Sequence, residues 1–246
     1  MNNATKLICL VALSVCTCTK LPPSFKKCSR SQPDLSDCLS KAVDDAIKQL
    51  EQPFKEVGLP TLEPLEIPAL TIGAGTGAVG LVQNFQNVKI YGFTKPEFTK
   101  FEMDVEKKTA RIECTFPKVK ILADYDVNGK ILLLPVYGKG PATITMENVN
   151  GFETFAFEEF EKKGKKHFKL VEGKLTLTPG GVTFNFENLF DGDKALGDNI
   201  NKVLNENWLE VFSDVKTSYE DAFGQIIMRL FDNVLSKVSL DDFFDE

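Results

Sequence analysis

The stretch from Asp193 to Val238 reads DKALGDNINKVLNENWLEVFSDVKTSYEDAFGQIIMRLFDNVLSKV, and it decides the fold. It contains no proline, and only Gly197 and Gly224 interrupt a run of good helix formers. Apolar residues recur every three or four positions throughout, which is the spacing of one face of an α-helix. If it is continuous, the helix is a rod of roughly 60 Å, far longer than the average helix of a globular domain.

A helix of this length needs an element that covers it. A coiled coil is one alternative, but the apolar face is rich in Phe, Trp and Tyr rather than in Leu at strict heptad positions. In the second half of the predicted helix the apolar face is wider than a coiled-coil seam. Three adjacent apolar pairs widen it: Ile226-Ile227, Leu230-Phe231 and Val234-Leu235. The β-rich stretch before the helix is the best candidate for the covering element.

That stretch, from Phe98 to Phe190, is predicted as a series of strands joined by turns, with no helix between them. Asn128-Gly129 is a strong type I′ hairpin signal. Before it, Leu65–Ile72 contains Pro68, which suits an edge strand and not a central one. Long antiparallel strands without an intervening helix favour a strongly curved sheet. We therefore predict an α+β fold in which a curved antiparallel β-sheet wraps the long C-terminal α-helix.

A shorter amphipathic helix precedes the sheet. Asp34 or Ser36 can cap it, and Pro53 ends it. One face of this helix is apolar, and it consists of Leu35, Cys38, Leu39, Ala42, Val43, Ala46, Ile47 and Leu50.

The glycine-rich segment at residues 73–80 matches the dinucleotide-binding fingerprint in spacing, with Gly75, Gly77 and Gly80. That fingerprint requires a helix after the glycines, so that backbone amides and the helix dipole meet a pyrophosphate. The residues that follow alternate like a strand instead. The pattern favours a flexible or bulged loop over a nucleotide site.

Residues 1–19 are predicted to be a secretory signal peptide, with Lys6, an apolar run from Leu7 to Val15, and small residues near the cleavage site. A bacterial lipoprotein signal ending at Cys16 is the alternative. The apolar run is too short to span a bilayer. Residues 20–246 then form a single secreted, extracellular domain with no membrane span. Without Lys6, 28 basic and 35 acidic residues leave a net charge of −7, which gives no electrostatic reason to bind nucleic acid.

The predicted mature chain keeps three cysteines. In an oxidising compartment Cys28 and Cys38 are expected to form a disulfide across a short loop. Cys114 lies in an alternating stretch and is predicted to be a buried strand thiol rather than a reactive one.

No catalytic or metal-binding constellation stands out, and we predict no cofactor and no enzymatic activity. The single histidine, His167, follows a basic run at residues 162–166, and both are predicted at a solvated hairpin tip. A general base needs an orienting partner and a pocket, which this position does not suggest. The common zinc, P-loop and nucleophile-elbow motifs do not occur.

The segment Asn188–Val211, NLFDGDKALGDNINKVLNENWLEV, closely resembles the C-terminal motif of the insect takeout and juvenile hormone-binding protein family. The N-terminal cysteine pair, the Pro-punctuated Leu62–Pro68 and the segment Asp124–Gly140 resemble the same family. The likeness covers essentially the whole mature chain. It implies a TULIP-like fold and a secreted carrier of a small hydrophobic ligand, such as a juvenile hormone-like terpenoid or a fatty-acyl lipid. We expect the carrier to be a monomer. Hormone-binding members carry a second disulfide that Cys114 alone cannot form, which favours the takeout-like branch.

A helix wrapped by a curved sheet need not close without a gap, and the gap would be an internal apolar tunnel. A fully packed core is the alternative, which would suit a protein-interaction or signalling module. Tyr137 and Trp208 could each offer a hydrogen bond that orients a ligand. The candidate tunnel walls are Phe93, Phe101, Leu133, Val136, Tyr137, Phe155, Phe157, Trp208, Val211, Phe212, Val215 and Phe223.

Overall fold

A computed structural model describes residues 19–104 and 106–245, so the signal peptide predicted for residues 1–19 lies outside the described residues except for Thr19. The helices are α1 (Leu35–Gln49), α2 (Lys194–Glu206), α3 (Trp208–Leu235) and α4 (Leu240–Phe243), with a 3₁₀ turn at Phe190–Gly192. The strands are β1 (Cys28–Ser29), β2 (Leu65–Ile72), β3 (Val79–Gly80), β4 (Gln83–Tyr91), β5 (Glu97–Asp104), β6 (Thr109–Ile131), β7 (Leu134–Lys162), β8 (Lys165–Thr178), β9 (Gly181–Phe186) and β10 (Phe244–Asp245).

The predicted C-terminal rod is present as two helices, α2 and α3, that are separated only by Asn207. Asp193 caps α2 by accepting a hydrogen bond from the Leu196 amide at 3.1 Å. Asn207 leaves the helical conformation, with φ −115° and ψ 26°, and its side-chain amide donates to the Val203 carbonyl. The predicted helical periodicity is therefore confirmed in α2 and α3, and the condition of a continuous rod is not met because Asn207 separates the two helices.

Two very long strands, β6 and β7, organise the sheet. They pair antiparallel from Thr109 with Ala156 to Ile131 with Leu134. Each exceeds the usual strand length of about 3–10 residues, so each takes different neighbours along its length: β3, β4 and β5 pair with β6, and β8 and β9 pair with β7. Shifts in register at Gln86/Lys89, Phe98/Lys100 and Ala156/Phe157 bend the strands where the sheet curves. The α+β prediction of a curved antiparallel sheet against the C-terminal helix is confirmed.

The hairpin predicted at Asn128-Gly129 is wrong. Both residues lie within β6, and the turn falls at Leu132 and Leu133, which have φ of 48° and 69°. Gly129 serves a different purpose, because a Cβ there would lie 2.6 Å from the carbonyl oxygen of Gly80. The glycine thus permits the close approach of β3 to β6, and the turn is made where the paired strands end.

Helix side chains satisfy the backbone at the free edges of β8 and β9. Asn201 accepts from the Phe186 amide and donates to the Phe186 carbonyl, both at 2.9 Å. Asn205 makes the same pair of bonds with Phe184 at 2.7 and 2.9 Å. On α3, Glu220 and Asp232 accept from the amides of Leu177 and Leu170. These contacts cover strand edges that would otherwise offer unpaired groups to another chain.

The glycine-rich segment forms a loop, as predicted, and it folds over Asp214 of α3. The amides of Thr76, Gly77 and Val79 donate to the Asp214 carboxylate at 3.1, 2.9 and 2.7 Å. A Cβ at Gly75 would lie 2.0 Å from the nearer carboxylate oxygen, so the approach requires glycine. A carboxylate of the protein itself therefore occupies the amides that a phosphate would need.

At the N-terminal end, the Cys28–Cys38 disulfide is present, with a Cα–Cα distance of 6.0 Å, and it ties β1 to α1. Strand β1 in turn pairs with β10 near the C-terminus. Asp34 stands at the N-cap of α1 as predicted, although its side chain makes no capping hydrogen bond. Strand β2 has the predicted bounds and pairs with β4 alone, as expected of an edge strand. Within the described residues, no helix has the length and apolar character needed to cross a membrane.

Candidate functional site

An apolar cavity of about 350 Å³ lies between α1, the sheet and the second half of α3. This volume falls in the usual range for small-molecule sites, roughly 300–1,000 Å³. From the N-terminal arm and α1, the lining includes Leu21, Phe25, Leu39, Ala42, Val43, Ala46, Ile47 and Leu50. From the β4–β5 turn it includes Phe93. From the sheet it includes Phe98, Phe101, Met103, Ala110, Ile112, Cys114, Phe116, Gly151, Glu153, Phe155, Phe157, Phe168, Leu170, Leu175 and Leu177, and from α3 Phe223, Ile227, Leu230, Phe231, Val234 and Leu235.

The adjacent apolar pairs of α3 explain how the helix can both pack and line a cavity. Gly224 lies against β8, since a Cβ there would be in van der Waals contact with Cβ of Leu175 at 3.4 Å. Met228 reaches the strand at Gly173, where a Cβ would lie 2.1 Å from its sulfur. The neighbouring apolar side chains of the same turns, including Ile227 and Leu230, face the cavity. One side of α3 therefore belongs to the core, and the next side forms a wall.

The first half of α3 is packed tightly instead. Val211 and Val215 border, together with Val136, a void of only about 20 Å³. Such a void is barely large enough for one water molecule. Phe212 is buried and packs beside Tyr219 with its ring tilted, the ring centroids being 5.8 Å apart. These four predicted wall residues are core residues, because α3 meets the sheet without a gap at this end.

The remaining predicted wall residues divide by position. Leu133 is 91% exposed because it forms the β6–β7 turn, and Tyr137 lies nearby, half-exposed against Phe190. Trp208 is partly buried at the start of α3 and packs against the core. None of these three lines the cavity, so Tyr137 and Trp208 do not supply polar contacts there. The five predicted residues that do line the cavity are Phe93, Phe101, Phe155, Phe157 and Phe223, and their contact with a ligand stays a prediction.

Sequence reasoning missed the α1 wall and the C-terminal wall of α3. Both carried a signal, since α1 has a continuous apolar face and α3 has apolar pairs wider than one seam. Periodicity alone does not separate a core face from a cavity wall. The cavity also contains two polar groups of the sheet that the sequence analysis did not assign to it, those of Glu153 and Cys114.

Glu153 is the most unusual side chain of the cavity. It points inward from β7 between Gly151 and Phe155, and it is only 5% exposed. Among residues 19–104 and 106–245, neither of its carboxyl oxygens has a hydrogen-bond partner. Burial raises the pKa of Glu153 to about 8, so the carboxyl group is mainly protonated at neutral pH.

Cys114 is a free, partly buried thiol on β6 that also faces the cavity, in general agreement with the predicted strand thiol. Its cross-strand partner is Gly151, which lies two residues before Glu153 on the same face of β7. Burial, and secondarily the charge of Glu153, raises the pKa of Cys114 to about 12. The thiol is therefore protonated at physiological pH and a poor nucleophile.

We expect Cys114 to react with iodoacetamide at pH 8 roughly a hundredfold or more slowly than a free thiol, because only the thiolate attacks. The measurement is the rate of mass increase in the native protein, with the unfolded protein in denaturant as the control. If the native protein reacted as fast as the denatured protein, the Cys114 thiol would be neither buried nor raised in pKa.

The prediction of a solvated His167 is wrong. The side chain is 5% exposed and stacks on Phe160 of the paired strand, with ring centroids 5.5 Å apart. The turn itself falls at Lys163 and Gly164, which have positive φ, so the basic run sits at the tip and His167 lies within β8. His167 does not line the cavity. In the part of the chain that the structure describes, no cluster of potential metal ligands occurs.

A long, two-part helix against a strongly curved antiparallel sheet, with an apolar cavity between them, defines a TULIP-like fold. The chain belongs to the haemolymph juvenile hormone binding protein (JHBP) family, whose sequence profile matches residues 7–245. The resemblance seen in Asn188–Val211 is thereby confirmed.

Individual relatives agree with this assignment. The chain is 25% identical to the circadian clock-controlled protein daywake of Drosophila yakuba over 232 residues, which span 91% of this chain and 88% of that protein. It is 23% identical to daywake of Drosophila melanogaster over 233 residues, or 92% and 88% of the two chains. The crystal structure of Epiphyas postvittana Takeout 1 superposes with a TM-score of 0.79 at 21% identity, covering 89% of this chain and 99% of that one. That likeness is one of fold.

Proposed function

We propose that this protein is a secreted carrier that holds one small hydrophobic ligand, a juvenile hormone-like terpenoid or a fatty-acyl lipid, in the internal cavity. The observation that carries the proposal is the 350 Å³ space lined by aliphatic and aromatic side chains of α1, the sheet and α3. Burial of apolar ligand surface stabilises a complex by about 25 cal/mol per Å². Binding of this kind needs no covalent step.

The size of the cavity favours an occupant over a filled core. An apolar space of this volume costs stability when nothing fills it, because the side chains that line it lack packing partners on one side. The same observation speaks against the alternative of an interaction module with a packed core.

Secretion is supported by two features of the chain. The N-terminal residues have the pattern of a signal peptide, and the Cys28–Cys38 disulfide belongs to an oxidising compartment. The relatives named daywake are described as clock-controlled.

The test is a titration of the mature protein with a fluorescent fatty-acyl probe, followed by displacement with terpenoid esters and unlabelled fatty-acyl esters. We expect saturable binding at one probe per chain and full displacement by apolar competitors of similar length. A short, water-soluble ester serves as the negative control. Absence of saturable probe binding would contradict the carrier function.

A further inference from the structure

The cavity wall is apolar except for a few polar or charged side chains, and their positions determine which ligand groups the cavity can bind. Among the described residues that line it, only four carry a titratable side chain: Lys26, Lys27, Cys114 and Glu153. Lys26 belongs to the N-terminal arm, where its ammonium group pairs with Asp45 of α1 at 3.1 Å. The charged side chains of α1 and α3 are not part of the lining. Within the described residues, Glu153 therefore stands in an apolar wall with no cation bonded to it.

The immediate surroundings of Glu153 on the sheet are uncharged. Its cross-strand partners are Ile112 on β6 and Leu175 on β8, and Phe155 is its neighbour on the same strand and face. On α3, Glu220 and Asp232 are bonded to backbone amides of β8, while Asp221 and Arg229 are exposed. Cys114 is the one titratable neighbour on this face, and its raised pKa keeps it uncharged near neutrality.

A buried polar group without a partner destabilises a protein by about 1–3 kcal/mol. An apolar residue in place of Glu153 would remove this cost, so packing alone does not account for a carboxyl group here. A ligand atom that accepts a hydrogen bond would satisfy the group and would make the cavity selective. Sites of this kind discriminate strongly against analogues that lack the matching atom.

We propose that Glu153 is the specificity-determining polar anchor of the cavity: as a neutral carboxylic acid it donates a hydrogen bond to an uncharged acceptor, such as an ester or other carbonyl oxygen, within an otherwise apolar ligand. This inference rests on the proposed carrier function and adds the chemical class of the ligand to it. The raised pKa of Glu153 agrees with the geometry, because a low-dielectric wall without a cation favours the neutral acid.

The anchor makes binding depend on pH in a defined direction. The donor exists below the pKa of about 8 and is lost as the pH rises through it. Ester affinity is therefore flat from pH 6 to about 7.5 and falls about tenfold by pH 9, since only the protonated fraction binds well. Cys114, with its pKa of about 12, stays protonated over this range.

The experiment compares three competitors of similar length for displacement of the fluorescent probe: methyl laurate, tetradecane and dodecylamine. In the wild-type protein we expect the ester to bind about tenfold more tightly than the alkane, the difference that one net hydrogen bond supplies. Glu153→Leu should reduce that preference to about one and raise the melting temperature. Glu153→Gln keeps an amide donor, so it should retain the ester preference and lose the pH dependence.

Three results would overturn the anchor. The first is an unchanged ester preference in Glu153→Leu, and the second is a pH-dependent loss of affinity in Glu153→Gln equal to that of the wild type. The third is tightest binding of dodecylamine with affinity rising with pH, which would make Glu153 an ionised partner of a cation. If none of the three competitors displaces the probe and the probe itself does not bind, the carrier function fails rather than the anchor. Should Glu153→Leu not fold, the pH profile of Glu153→Gln decides alone.

Discussion

Replacing Gly151 with phenylalanine should weaken ligand binding about a hundredfold while leaving the fold intact. Gly151 lies in the middle of β7 and lines the cavity. A Cβ at this position would meet Sγ of Cys114 at 3.6 Å, which is ordinary van der Waals contact, so the backbone tolerates a side chain. The added ring would occupy space that the ligand needs. Loss of about 100 Å² of apolar contact corresponds to roughly 2.5 kcal/mol, so we expect affinity to fall by about a hundredfold.

The matched control is Gly181→Phe. Gly181 is also a strand glycine, and a Cβ there would have no neighbour within 4 Å. It does not line the cavity, so this variant should bind the fluorescent probe as the wild type does. Circular dichroism and thermal melting check that both variants fold. Wild-type affinity in a folded Gly151→Phe protein would place the binding site elsewhere.

Replacing Asp214 with alanine should produce the largest loss of stability among single changes outside the apolar core. The carboxylate accepts hydrogen bonds from three backbone amides of the glycine-rich loop, those of Thr76, Gly77 and Val79. Bonds to a charged acceptor contribute about 1.5–3 kcal/mol each, and partial exposure of the loop reduces the sum. We expect a loss of about 3 kcal/mol in the free energy of unfolding and a fall of about 6–12 °C in the melting temperature.

Asp221→Ala provides the control for Asp214→Ala, because it removes an acid from the same helix at an exposed position. We expect it to change the free energy of unfolding by less than about 0.5 kcal/mol. The readout is urea denaturation followed by circular dichroism. Equal stability of the two variants would show that the carboxylate does not hold the loop.

The elements with strong periodicity were predictable from sequence. The apolar faces of α1, α2 and α3 follow the helical period, and Pro68 identified β2 as an edge strand. The break at Asn207 was not predictable from that pattern, because the apolar spacing continues across it. The hairpin prediction failed because Asn128-Gly129 has the composition of a turn. In the structure the glycine is needed for another reason, since β3 passes too close to Gly129 for any side chain to fit.

The site was only partly predictable for a physical reason. An apolar side chain obeys the same period whether it meets another side chain or an open space. The sequence therefore did not distinguish Val211, which packs in the core, from Leu230, which lines the cavity. Glu153 was overlooked because an acid in a strand is usually solvent-facing, and its inward direction depends on the register that places Gly151 and Phe155 on the same face.

The measurement that tests the carrier function most directly is the native mass of the mature protein purified from its own source, compared with the organic extract of the denatured protein. We predict a population heavier than the polypeptide by one small molecule per chain, with an apolar compound bearing an uncharged oxygen acceptor in the extract. A bare polypeptide mass, an empty extract and no saturable binding of a fluorescent fatty-acyl probe would together contradict it.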